Sequence, residues 1–317
     1  MSTEGGTKAV VAALLANTGI AVTKFAAWAL TQSASMLAEA IHSVADAGNQ
    51  ALLLVGGKRA QREATEEHPF GYGRERYIYA FIVAIVLFSV GGLFALYEAY
   101  HKFHELAGGH GEGGLLESRW KYVPLYVLGL AIGMESFSFR TAIIESNKVR
   151  GDQNWWRFIR RAKAPELPVI LLEDLAALLG LVVAFAGVSL ALITHNLYFD
   201  VAGSAVIGAL LVTVAVILGV EVKSQLLGEA ATPESVAAIR GAIGSADGVE
   251  SIIHLKTMHV APEELLVAAK IAVSPGSSAE EVAASINAAE RALRAAEPMA
   301  TQVFLEPDIY VPEAPGH

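Results

Sequence analysis

The chain has 317 residues, 54% of them hydrophobic and 17% charged, with a mean hydropathy of +0.46 and a net charge of −9. Soluble globular proteins carry about 25% charged residues, so this chain lacks the surface that water demands; a small soluble enzyme, a disordered protein and a secreted disulfide scaffold are excluded. The chain has no cysteine, which excludes thiolate metal sites, redox pairs and thiol nucleophiles.

Six apolar runs, each long enough to cross about 30 Å of hydrocarbon, lie at Lys8 to Leu30, Ser33 to Gly56, Tyr77 to Tyr100, Tyr122 to Ile144, Pro168 to Thr194 and Tyr198 to Glu221. The first run outlasts the apolar core of a cleaved leader, and a second follows at once, so it is expected to stay as a membrane helix. Lys24, near one end of that helix, is expected to snorkel to the headgroups. The loop after the second run holds Lys58, Arg59, Arg62, Arg74 and Arg76, and the loop after the fourth holds Lys148, Arg150, Arg157, Arg160, Arg161 and Lys163. The three opposite loops hold only Lys102, Arg119 and Lys121. The positive-inside rule puts the two basic loops in the cytoplasm, and both termini with them. Trp120, Tyr122, Trp155, Trp156 and Tyr198 suit the membrane interfaces, although Trp155 and Trp156 suit a small loop domain equally well.

Charge divides the chain further. From Glu229 to His317 there are 13 acidic and 5 basic residues, against 19 and 18 before it. The expected domains are therefore 1–228, a nearly neutral membrane domain of six helices, and 229–317, an acidic cytoplasmic domain. Within the latter, Thr232 and Pro233 open a helix to about Ser245. Strands follow at Val249 to Val260 and Leu265 to Val273, joined by a turn at Ala261-Pro262-Glu263-Glu264. A second helix spans Glu280 to Ala296, and a last strand Val303 to Tyr310. The order α-β-β-α-β is that of a ferredoxin-like or metallochaperone-like α+β layer. Phosphate contacts need clustered lysine and arginine, and with this net acidic balance no nucleic-acid partner is expected.

The informative residues are the polar ones inside the apolar runs, because a charge at the bilayer centre costs about 3 kcal/mol or more. In the second run Ser35, Glu39, His42, Asp46 and Asn49 fall within an arc of about 80° on one helix face. Such a stripe must face protein or a water-filled path. His42 and Asp46 are one turn apart, so an imidazole nitrogen and a carboxylate oxygen can converge on one cation; a His–Asp hydrogen bond that only pins two helices is the plainer alternative. The fifth run adds Glu173 and Asp174, which point about 100° apart. Asp174 is expected as a direct ligand and Glu173 as a second ligand, a gate or an outer partner, with exposure near the interface as the plain alternative. Glu135, before Ser136 in the fourth run, is either a proton carrier or a packing partner. Asn17 and Asn49 are expected to support the ligands or glue helices.

Six spans, His42-x-x-x-Asp46, an acidic site in the fifth span and an α-β-β-α-β tail together resemble the cation diffusion facilitator family of metal-ion/proton antiporters. The loop His68-Pro69-Phe70-Gly71-Tyr72-Gly73-Arg74 is similar to that family's signature after the second span, and Gly203-Ser204-Ala205 to its sixth. The commonest zinc-transporting members carry a second histidine where this chain has Ile170. Glu173-Asp174 instead resembles a branch that includes a mitochondrial and nuclear zinc transporter of animals. The resemblance implies a secondary transporter rather than an enzyme, with a metal site of His42, Asp46, Glu173 and Asp174. It also implies Zn²⁺ as the transported ion, protons as the counter-ion, a homodimer, and a multi-pass location in a lipid bilayer such as the bacterial inner membrane. One nitrogen among carboxylates keeps Mn²⁺ and Fe²⁺ open as alternatives, and a non-transporting metal-sensing or scaffolding subunit is a third reading. His101, His104 and His110 are expected to be solvated. His254, Glu306 and Asp308 fall near positions where some members bind regulatory zinc, but read more simply as surface charge. His68 with Glu66 or Glu67 reads as a structural turn.

Overall fold

A computed structural model describes residues 2–31, 34–108 and 120–310, without the side chains of 2–9, 27, 28, 30, 31, 34–39, 41, 42 and 161. The chain divides into two compact units, Met1–Ala60 with Glu75–Lys223, and Gln61–Arg74 with Ser224–His317. The segment 61–74, which follows the second apolar run, therefore belongs with the second unit.

The first unit is helical: α1 (Ser2–Thr31), α2 (Ala34–Ala60), α3 (Glu75–Ala107), α4 (Val123–Arg150), a short α5 (Trp155–Arg161), α6 (Glu166–Thr194) and α7 (Tyr198–Leu227). Among the described residues α3, α4, α6 and α7 are long and apolar enough to cross a membrane. In α1 the apolar stretch is the shorter Val10–Ala26. Large apolar side chains lie on the outside, Tyr126, Phe137, Ile193 and Val216 among them, while Asp46, Glu135, Glu173 and Asp174 are buried. That inversion of a water-soluble protein is what a lipid solvent produces, because lipid welcomes the apolar surface and rejects the charge.

Local chemistry sets the helix ends. Pro124 occupies the first turn of α4, where its missing N–H goes unneeded. Asn154 caps α5 by accepting from the Arg157 backbone N–H at 2.7 Å. His195 closes α6 in the left-handed region at φ 52°, and the Asn196 side chain accepts from the Tyr198 N–H at 3.0 Å to start α7. Trp155 and Trp156 open the short helix α5.

The expected third run departs from a plain α-helix, because residues Leu87–Leu93 wind as a π-helical segment. Within it Gly92 meets α7, where a methyl group on this glycine would sit 2.6 Å from Val212 Cγ2, and just past it α3 meets α7 again. A methyl group on Gly208 would sit 2.7 Å from Leu96 Cγ and 2.9 Å from the Leu96 backbone nitrogen. Glycine is the side chain that this approach admits. Helices α1, α4 and α6 share an apolar core of Ile20, Leu128, Ala131, Leu181 and Val188.

The second unit has the expected order, α8 (Pro233–Gly244), β1 (Ser251–Ala261), β2 (Glu264–Ala272), α9 (Ala279–Ala296) and β3 (Gln302–Asp308). The strands form a sheet in the order β1-β2-β3, with β1 antiparallel and β3 parallel to β2. The parallel pair needs a crossover, and α9 supplies it. Leu265, Val267, Ala269 and Ile271 alternate along β2 and pack on Ile239, Ile243 and Leu293 of the helices. Thr232 caps α8, with Pro233 in its first turn. Ser278 and Glu281 form a reciprocal capping box at the start of α9.

Candidate metal site

Consecutive residues on a helix point about 100° apart, and α6 uses this to address two neighbours. Glu173 turns to α2: its Oε1 accepts from Asn49 Nδ2 at 2.7 Å and its Oε2 from Gln50 Nε2 at 2.9 Å. Asp174 turns to α4, where Ser138 Oγ donates to its Oδ2 at 2.8 Å. Asn17 of α1 extends the first network by donating to Gln50 Oε1 at 3.3 Å. Glu173 and Asp174 are 3% and 0% exposed. Asp46, Glu135, Glu173 and Asp174 lie close enough to one another for their charges to interact.

Buried carboxylates elsewhere in this unit have bases beside them. Glu145 pairs with Lys148 at 2.6 Å, Glu221 with Arg160 at 3.4 Å, and Glu166 with Arg76 Nη2 at 2.8 Å. Glu173 and Asp174 receive hydrogen bonds from amides and a hydroxyl instead. Asp174 Oδ1, Glu135 Oε1 and Asn49 Oδ1 are buried oxygens without a hydrogen-bond donor. Such acceptors, packed in an apolar interior, are what a cation or a proton satisfies.

Asp46 and Glu135 line a cavity together with Asn17, Lys24 and Ser43, closed by apolar residues of α6 and α7. It has about 30 Å³ of room for a water-sized guest, enough for about two waters. Lys24 does not snorkel to the headgroups as its position near a helix end suggested; it is 3% exposed and faces this cavity. Asn17 and Lys24 are seven residues apart, close to two helical turns, and so share a face of α1.

The residues expected to hold metal are thus distributed as follows. Glu173 and Asp174 sit back to back on α6, one bonded to α2 and the other to α4, and Asp46 lies on the cavity. The side chains of Ser35, Glu39 and His42 lie outside the described residues. Among the described residues no three of the His, Asp and Glu side chains are gathered tightly enough to hold an ion by themselves. Ser136 turns back on its own helix and donates to the Ile132 carbonyl at 2.6 Å.

Sequence reasoning missed Gln50, Ser138 and the inward turn of Lys24. The signals were present: Gln50 lies about 20° beyond the polar arc of α2, and Ser138 follows Glu135 by three residues on one face.

The other histidines and acids have plainer settings. Glu306 and Asp308 both pair with Lys270, at 3.4 and 2.6 Å. The Asp308 hydrogen bond raises the Lys270 pKa, and the same bond holds Asp308 below the usual carboxylate range. His254 lies across from Lys270 on β1. His68 stacks on Tyr72 with ring centres 4.6 Å apart, and its N–H bonds to Thr65 Oγ1 at 3.1 Å, a structural turn. His101 pairs with Glu105 at 3.4 Å and His104 contacts the Tyr100 carbonyl at 3.0 Å; His110 lies outside the described residues.

Residues 10–227 match the family profile described as the cation efflux transmembrane domain. A mouse protein named as a mitochondrial proton-coupled zinc antiporter, SLC30A9, is 31% identical over 258 residues, 80% of this chain and 43% of its own length. The human protein of that name is 30% identical over the same shares. Metal tolerance protein C4 of Arabidopsis thaliana is 27% identical over 273 residues, 83% of this chain and 56% of its own. The chain spans less than half the length of the mouse and human relatives.

Proposed function

The chain belongs to the cation efflux family, and from that premise we propose that it exports a divalent transition-metal ion, Zn²⁺ first, in exchange for protons. It is then a secondary transporter, not an enzyme. The observation that carries this reading is the adjacent buried pair Glu173 and Asp174 of α6, whose hydrogen-bond donors are the neutral side chains of Asn49, Gln50 and Ser138. Negative charge inside oil must be offset by a cation, and a carboxylate accepts either a proton or a metal ion. A site of this kind binds metal only as it gives up protons.

In this account residues 1–228 form a membrane domain in which α1 and α2 cross the bilayer with α3, α4, α6 and α7. Residues 229–317 form a cytoplasmic domain, both termini are cytoplasmic, and the protein works as a homodimer. The mouse relative's name places it in mitochondria; the bilayer we assign here is an energised one such as the bacterial inner membrane. His42, Asp46, Glu173 and Asp174 hold the ion in turn or together as the helices rock. Open to the cytoplasm, the deprotonated groups take up Zn²⁺. Open to the other side, incoming protons displace it, and the inward proton gradient drives efflux. Asn49, Gln50 and Ser138 orient the carboxylates between these states.

The oxygen-rich set supports a second reading. Glu173, Asp174 and the Asn49 carbonyl are hard donors, which suit Mn²⁺ and Fe²⁺ better than they suit zinc. Purified protein in liposomes with an imposed pH gradient separates these readings. Gradient-driven Zn²⁺ flux that Asp46→Ala abolishes is the expected result. Faster Mn²⁺ or Fe²⁺ movement replaces the ion, and no gradient-dependent flux of any of the three leaves the sensing or scaffolding subunit.

A further inference from the structure

Lys24 is the one buried lysine or arginine among the described residues, and it stands on α1 within a stretch of apolar side chains. It lines the cavity of Asp46 and Glu135 together with apolar residues such as Ala176 and Gly180. An ammonium group moved out of water costs several kcal/mol unless carboxylates face it. Here it stands where a mobile cation is to be received.

We propose that Lys24 is a tethered counter-cation of the transport cavity, balancing Asp46 and Glu135 while no metal is present and repelling the ion when it arrives. The inference rests on the exchange function proposed above and assigns Lys24 two effects. The first is on affinity: two positive centres in one poorly solvated cavity repel strongly, so Lys24 weakens metal binding and hastens release. The second is on selectivity. A divalent ion draws twice the attraction from the carboxylates that a monovalent ion draws, so only the divalent ion gains enough to displace the resident ammonium. Lys24 thus acts through charge and is not itself a ligand of the ion.

The test compares the purified full chain with Lys24→Met and Lys24→Arg. Zn²⁺ binding is titrated in detergent with and without excess Na⁺, and Zn²⁺ flux is followed in liposomes under a pH gradient. Lys24→Met should bind Zn²⁺ about tenfold or more tightly, turn over more slowly, and become sensitive to Na⁺ competition. Lys24→Arg, which keeps the charge, should resemble the parent in affinity and in indifference to Na⁺. Zn²⁺ affinity in Lys24→Met equal to or weaker than the parent's overturns the inference. Lys24→Gln, an uncharged side chain with a polar head, takes the place of Lys24→Met if that variant does not fold, with the same expectation. A parent that moves Zn²⁺ while Lys24→Met keeps its affinity sinks this inference alone; a parent that neither binds nor moves Zn²⁺ sinks the exchange function as well.

Discussion

Asp174 keeps one oxygen bonded to Ser138 and one without a hydrogen-bond donor, the condition of a ligand held in position with a lone pair to give. Removing the positioning hydroxyl should therefore weaken metal binding without abolishing it. Ser138→Ala is expected to lose about tenfold in Zn²⁺ affinity by calorimetry, the low end of what outer partners of a ligand contribute. Gln50 tests the other half of the pair. Gln50→Leu takes the donor from buried Glu173 Oε2 and leaves Asn17 without its acceptor, at a cost of about 1–3 kcal/mol for an unsatisfied buried group; a lowered melting temperature of the purified protein is the readout. At this scale the sequence singled out Asp46, Glu173 and Asp174 as carboxylates in apolar runs but left exposure near the interface open for the last two, and the structure buries all three. The sequence did not show that Glu173 and Asp174 would address different helices. That depends on which neighbour α6 meets on each side, which no local pattern encodes. Lys24 was misplaced for a similar reason: its distance from the helix end suggested the membrane interface, and the Asp46 and Glu135 with which it shares a cavity stand on other helices.

The elements were more legible. Strand and helix order in the second unit was read from local signals, Thr232-Pro233 at the start of the first helix and the turn at Ala261-Pro262-Glu263-Glu264 among them, and the structure adds the Ser278 cap and the alternation along β2. Ser278→Ala should cost about 1 kcal/mol through the lost cap, seen as faster hydrogen exchange of the α9 amides in the full chain. The π-helical segment of α3 was not legible, since the apolar run of the sequence continues through it. Gly208→Val tests the contact of α3 with α7. A branched side chain would meet the Leu96 backbone, which cannot move aside, so α3 and α7 should separate and the melting temperature should fall. A fully stable Gly208→Val protein would mean that the two helices are not packed this closely.

Across the whole molecule, charge is sorted by solvent. Asp46, Glu135, Glu173 and Asp174 are buried in the first unit, whereas acids of the second such as Glu281 and Glu306 are exposed. The surface acids make a separate prediction with its own sign. Glu281 takes the Ser278 N–H and hydroxyl, and Asp308 takes Lys270 and the Ile309 N–H, so both are held below the usual carboxylate range. Their contribution to stability is present above the unfolded value of about 4 and fades as the pH falls through the lower folded values. Amide protection of α9 and β3 should therefore decline on acidification below that value, and the difference between parent and Glu281→Gln should shrink as it does. In the proposed exchange the buried carboxylates of the first unit follow a different rule, answering to metal as well as to protons. Their most direct test is the number of protons released when Zn²⁺ is added to purified protein in weakly buffered detergent. Release in proportion to the bound Zn²⁺, lost in Asp46→Ala, is what proton-for-metal exchange predicts. Zn²⁺ that binds without releasing protons, or releases as many from Asp46→Ala, would contradict it.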